Sequence, residues 1–171
     1  GDVGGRIERE DNLSQIGDAW VAGDAEVYGN ARVYGNARVL GDARVYGNAR
    51  VYGNVCVYGN AWVLENAWVF GNAWVFGNAR VSGYAEVSGY AEVSGKARVD
   101  GDFKTTTKVR SFDLTPYSIY LSDTHVMVGC QYFTIEELLG LTCLDHALAE
   151  GYTQEQYEML INIIKQESGK M

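Results

Sequence analysis

Few side chains in this chain have the chemistry of catalysis, and those few are badly spaced for it. The two histidines, His125 and His146, both lie in the C-terminal third, and His125 stands five residues from Cys130, which is not a zinc-ligand spacing. Cys56, Cys130 and Cys143 form neither a CxxC pair nor an even-numbered disulfide set; they read as reduced thiols of a cytoplasmic protein. Ser14, Ser82, Ser88 and Ser94 have no base or nucleophile elbow beside them. No GxxxxGK[ST] loop is present to cradle phosphate. These residues predict no catalytic group, no metal site and no cofactor.

A different chemistry recurs in the middle of the chain. Arg32, Arg38, Arg44 and Arg50 follow one another at every sixth residue, and Tyr34, Tyr46 and Tyr52 stand two places after three of them. A guanidinium forks onto phosphate or carboxylate while a phenol ring stacks on a base, so this set is a candidate site for an anionic, nucleotide-like ligand. The alternative is ordinary surface dressing, Arg over Tyr on neighbouring strands. Beyond them come Trp62, Trp68 and Trp74 with Leu64, Phe70 and Phe76. Such an aromatic belt, if outward, predicts a homo-oligomer interface or a site for a protein partner. C-terminal elements folding back over the belt would serve the same need.

The positioning element is a repeat. From Gly17 to Asp100 the chain runs through fourteen six-residue units such as GNARVY, GDARVY and GNAWVF without an insertion, with degenerate copies that put Leu13 and Val109 in the alanine column. Gly-Asn or Gly-Asp suits a corner, because both residues accept unusual backbone angles. Ala-x-Val-x then makes a short strand whose alanine and valine share the inner face while the two variable residues face water. Three such strands closing a triangle give an eighteen-residue coil, stacked on the next at about 4.8 Å. The fold predicted is mainly β, a parallel β-helix with no room for a ligand inside.

These units resemble the hexapeptide repeat of left-handed β-helix proteins. The wording GNAxVxGNAxVx is closer still to the YdcK-type β-solenoid repeats of bacterial and bacteriophage proteins. The segments 1–15 and 126–138 resemble the flanks of that group. The resemblance implies left-handed winding with three hexapeptides per coil, and association as a trimer about an axis parallel to the solenoid. It also implies a phage or mobile-element origin. Enzymes of the fold, acyl-CoA-dependent acyltransferases and zinc carbonic anhydrases, use histidines in or beside the coils. Here no histidine lies between Gly17 and Asp102. An acyltransferase using His125 or His146 is the alternative to a non-catalytic binding or scaffold protein.

The organisation expected is an N-terminal segment over 1–16, the solenoid over 17–102 and a small α/β cap over 103–171. Strands are predicted over 117–121 and 125–128, after Pro116 breaks the coil. Helices should start at Thr134-Ile-Glu-Glu137 and Thr153-Gln-Glu-Gln156, which have capping-box spacing, with a further turn or two over 143–150. The 171 residues carry 22 acids against 14 bases, a net charge of −8, which disfavours duplex DNA and anionic lipid as partners. No run approaches the roughly 20 apolar residues of a membrane span, and the first residues lack a basic-then-apolar leader.

Overall fold

The computed structural model describes residues 4–114, 117–128, 131–140 and 153–168. Pro116, Cys130, Cys143, His146 and the turn expected over 143–150 lie outside the described residues.

The repeat folds as a parallel β-solenoid. Its short strands stack into three parallel sheets. The first runs from Arg6–Ile7 to Arg98–Val99, the second from Leu13–Gly17 to Lys104–Thr105, and the third from Trp20–Val21 to Glu92–Val93. From Trp20 onward each strand pairs with the one eighteen residues along, as Arg32 with Arg50, Arg50 with Trp68 and Trp68 with Glu86, whereas Arg6 pairs with Glu26, twenty along. Strands Arg6–Ile7 and Lys104–Thr105, outside 17–102, join the same sheets.

The interior is a column of alanines and valines, nearly all of them fully buried from Ala25 to Val99. Each buried valine contributes roughly 1.5–3 kcal/mol. Main-chain ladders close every turn, as where Arg50 N donates to Ala67 O at 2.9 Å. The corners add ladders of their own. Asn30, Asn48 and Asn66 form one chain of side-chain amides (3.2 and 3.0 Å), and Asn36, Asn54 and Asn72 a second (3.0 and 3.0 Å). A corner asparagine therefore satisfies its neighbour one turn away as well as tolerating the bend.

The flanking copies correct the expected register. Leu13 aligns with Val33 and Val109 with Val93, so both stand in the valine column and not the alanine column. The step from Leu13 to Val33 is two residues longer than eighteen and that from Val93 to Val109 two shorter, which moves each copy by one inward position. The irregularity between Leu13 and Gly17 takes up the two extra residues of the first turn.

Both ends are sealed. At the start, a 3-10 turn over Glu10–Asn12 places Asn12 inside at 1% exposure. Its amide donates to Gly29 O (3.1 Å) and Ala31 O (2.8 Å), and its Oδ1 accepts from Arg9 N at 2.8 Å. At the far end Phe103 takes an alanine position and is fully buried. Beyond it, strands Arg110–Leu114, Tyr117–Leu121, His125–Val128 and Gln131–Thr134 form an antiparallel sheet. Alternate residues divide its faces. Tyr120 and Met127 join the solenoid core, whereas Ile119, Leu121 and Val126 pack with helices α1 (Ile135–Gly140) and α2 (Gln154–Ser168).

Both helices begin with the capping box the sequence predicts. Thr134 N donates to Glu137 Oε2 (2.8 Å) and Glu137 N to Thr134 Oγ1 (3.1 Å). Thr153 and Gln156 repeat the exchange at 2.8 and 3.2 Å. The backbone amide and hydroxyl of Thr134 hold the Glu137 carboxyl below the usual range, against a small opposing effect of desolvation. Leu160 and Ile164 give α2 its buried stripe.

Candidate binding faces

Since residues eighteen apart share a face, the six-residue spacing of the arginines distributes them around the solenoid. The second face receives Arg32 and Arg50, the first Arg44, and the third Arg38. Tyr34 and Tyr52 accompany the pair on the second face, and Tyr46 lies on the first. The four arginines do not converge on one site.

Their surroundings differ as well. Arg44 is committed: its Nε lies 3.4 Å from Glu26 Oε2, while Arg6 Nη1 holds Glu26 Oε1 at 3.3 Å, and its guanidinium lies 5.6 Å from the Trp62 ring centre. Arg80 approaches the same ring at 5.8 Å. On the second face Arg50 lies over Trp68 at 5.0 Å. Arg32 and Arg50 are both exposed, and neither has a carboxylate partner among the described residues.

Beside these two guanidinium groups runs a stack of flat rings. Tyr34 and Tyr52 lie 4.8 Å apart and 5° from parallel, and Tyr52 and Phe70 follow at 5.1 Å and 4°. The phenol of Tyr34 is pushed above its ordinary pKa by desolvation first and by Tyr52 second, while Arg50 and Arg32 pull it back. A groove of about 550 Å³ is lined by Arg32, Arg50 and Tyr34 together with Glu10, Asp11 and Gln15 of the N-terminal segment. The second face thus combines unpaired cations, a ring at stacking height and acceptor carboxylates. The acids come from the least repetitive stretch of the chain, and the hexad pattern carries no signal for them.

The aromatic belt also divides among the faces. Trp62 on the first is half-buried between its two arginines, whereas Trp68 and Trp74 remain 39% and 50% exposed, so the described cap does not cover them. Phe70 and Phe76 are half-buried in their stacks. Leu64, expected outward, is only 3% exposed, and Ser82, one turn on, only 2%. Leu40, Ser88 and Ser94, at the same position on the other faces, are half-buried.

His125 is half-buried in the cap, its ring 5.7 Å from Phe103 and its Nδ1 2.8 Å from Thr124 Oγ1. Cys56 is a free, half-buried thiol. Among the described residues no three His, Cys, Asp or Glu side chains gather as metal ligands. No described helix is long and apolar enough to cross a membrane.

The stacked parallel strands define the protein as a β-solenoid repeat protein. Residues 25–41, 31–46, 41–59 and 49–65 each match the YdcK β-solenoid repeat. No curated protein and no solved structure matches the chain.

Proposed function

We propose that the protein is a non-catalytic binding or scaffold solenoid that holds an anionic, ring-bearing ligand such as a nucleotide on its second face. Arg32 and Arg50 receive the phosphates, Tyr34 stacks on the base, and Glu10 and Asp11 accept from ribose hydroxyls or base amino groups. The observation that carries this reading is the in-register Arg32–Arg50 pair, one turn apart and without a carboxylate between them. Two like charges held that close are mutually unfavourable until an anion joins them.

The same proposal includes left-handed winding with three hexapeptides per turn, a cytoplasmic setting that suits the free Cys56 thiol, and a phage or mobile-element origin. It further includes self-association through the exposed tryptophans. The packing of His125 against Phe103 favours a cap role over that of an acyltransferase base.

Titration calorimetry with ADP, GDP and UDP, and with pyrophosphate and free nucleosides as controls, tests the ligand. Heat with the nucleotides that is lost in Arg32→Glu/Arg50→Glu and kept in Arg38→Glu/Arg44→Glu supports the second face. No heat from the wild-type protein with any of them overturns it.

A further inference from the structure

On the third face Tyr58 packs against Trp74 and stacks on Phe76, but no cation covers a tryptophan. The first outward column of this face reads Trp20, Arg38, Cys56, Trp74 and Glu92 along the axis. Trp20 and Trp74 are 43% and 50% exposed, and no guanidinium lies over either ring. Beside them Leu40, Tyr58 and Phe76 make the second column apolar through the middle turns. Arg38 has no ion-pair partner among the described residues.

We infer that this face binds a second copy of the chain, with the two solenoid axes antiparallel and the two-fold between the turns of Cys56 and Trp74. The inference rests on the self-association included above and gives it a surface and a direction. The order of charges along the axis sets the direction. A two-fold along the strand direction keeps each column opposite itself and reverses the order of turns. Cys56 then meets the partner's Trp74, and Arg38 meets the partner's Glu92. The corner bordering the same face follows the same rule, for exposed Asp42 meets the partner's exposed Lys96. Outermost, Trp20 meets the partner's Lys108, which lies 3.0 Å from Glu92 in its own chain. Each contact pairs opposite charges, a cation with a ring, or two apolar groups, and the two-fold supplies each twice.

Other arrangements lose this match. A two-fold through the turn of Cys56 keeps a cation on a ring, Arg38 with Trp74, but sets Trp20 against Glu92 and leaves Asp42 opposite Asn78. One through the turn of Trp74 sets Arg38 against Lys108. Parallel association, including a trimer about an axis along the solenoid, brings equal turns together and therefore Arg38 beside Arg38. The repeat itself makes the antiparallel match possible, because both copies carry side chains at the same inter-strand spacing.

Sedimentation equilibrium over a wide concentration range, with charge exchange at the corner, tests the geometry. The full-length wild-type chain is expected to form a dimer. Asp42→Lys and Lys96→Asp, each placing two like-charge contacts in the interface, weaken it by about tenfold. The double variant recovers wild-type affinity, which a parallel assembly has no means to do. A dimer or trimer that ignores all three variants overturns the antiparallel face and leaves self-association standing. A monomer at every concentration overturns self-association as well.

Discussion

The side-chain amide of Asn48 donates to Asn66 Oδ1 at 3.0 Å, one full turn along the solenoid, while Asn48 Oδ1 accepts from Asn30 at 3.2 Å. Asn48 is thus donor and acceptor at once, whereas Asn66 serves this ladder as an acceptor. A carboxylate can only accept. Asn48→Asp therefore sets two oxygens face to face and is expected to destabilise by about 0.5–1.5 kcal/mol. Asn66→Asp keeps its accepting role and costs less. Urea unfolding of the two variants, followed by circular dichroism, orders them.

Closeness of the turns makes glycine obligatory at some corners and merely convenient at others. At Gly53, φ is +84° and an added Cβ would come within 2.7 Å of Gly71 O; at Gly95, φ is +65° with nothing within 4 Å. Gly95→Ala should cost only the left-handed backbone penalty, about 1–2 kcal/mol. Gly53→Ala adds a main-chain collision and is expected to cost clearly more, which the melting temperatures will show.

Glu65 is the one non-glycine residue with positive φ among the described residues, at 61°, and its Oε2 accepts from Gly83 N at 2.8 Å. Glu65→Ala keeps the strained backbone and loses the bond. Glu65→Gly loses the bond but releases about 1–2 kcal/mol of strain. The glycine variant is expected to melt above the alanine variant and close to the wild type.

Burial raises the pKa of Tyr28, Tyr34 and Tyr58 above 10, with neighbouring phenols or acids adding to the effect. A folded-state pKa raised above the unfolded value gives stability that is complete below pH 10. That stability is lost as pH rises through the folded values. The protein should therefore weaken progressively above pH 10, and Tyr34→Phe should weaken less. Ultraviolet titration of the phenols, run alongside the unfolding curve, checks both.

How much of this could be read in advance depends on the residue. The parallel β-solenoid was legible because an inner residue recurs wherever the backbone returns to the same angle, and Ala and Val do so from Gly17 to Asp100 without a gap. The capping boxes at Thr134 and Thr153 were legible because their contacts span three residues. Leu13 and Val109 escape the repeat's register because each flanking turn departs from eighteen residues, by an insertion or a deletion that periodicity cannot register. Asn12 carries no signal because a polar residue buried by hydrogen bonds to carbonyls looks, in one dimension, like a loop residue.

The chain's own order of residues determined the stacking of strands, the Ala–Val interior and the outward march of Arg, Tyr and Trp, all consequences of local backbone period. Only the tertiary structure decided which arginine is held by Glu26, which stands free beside Tyr34, and which tryptophan lies bare. Those outcomes depend on what sits one turn above and below, and on N-terminal residues folded against the first turns. Contacts across eighteen or twenty positions arise from the winding and from its irregular ends.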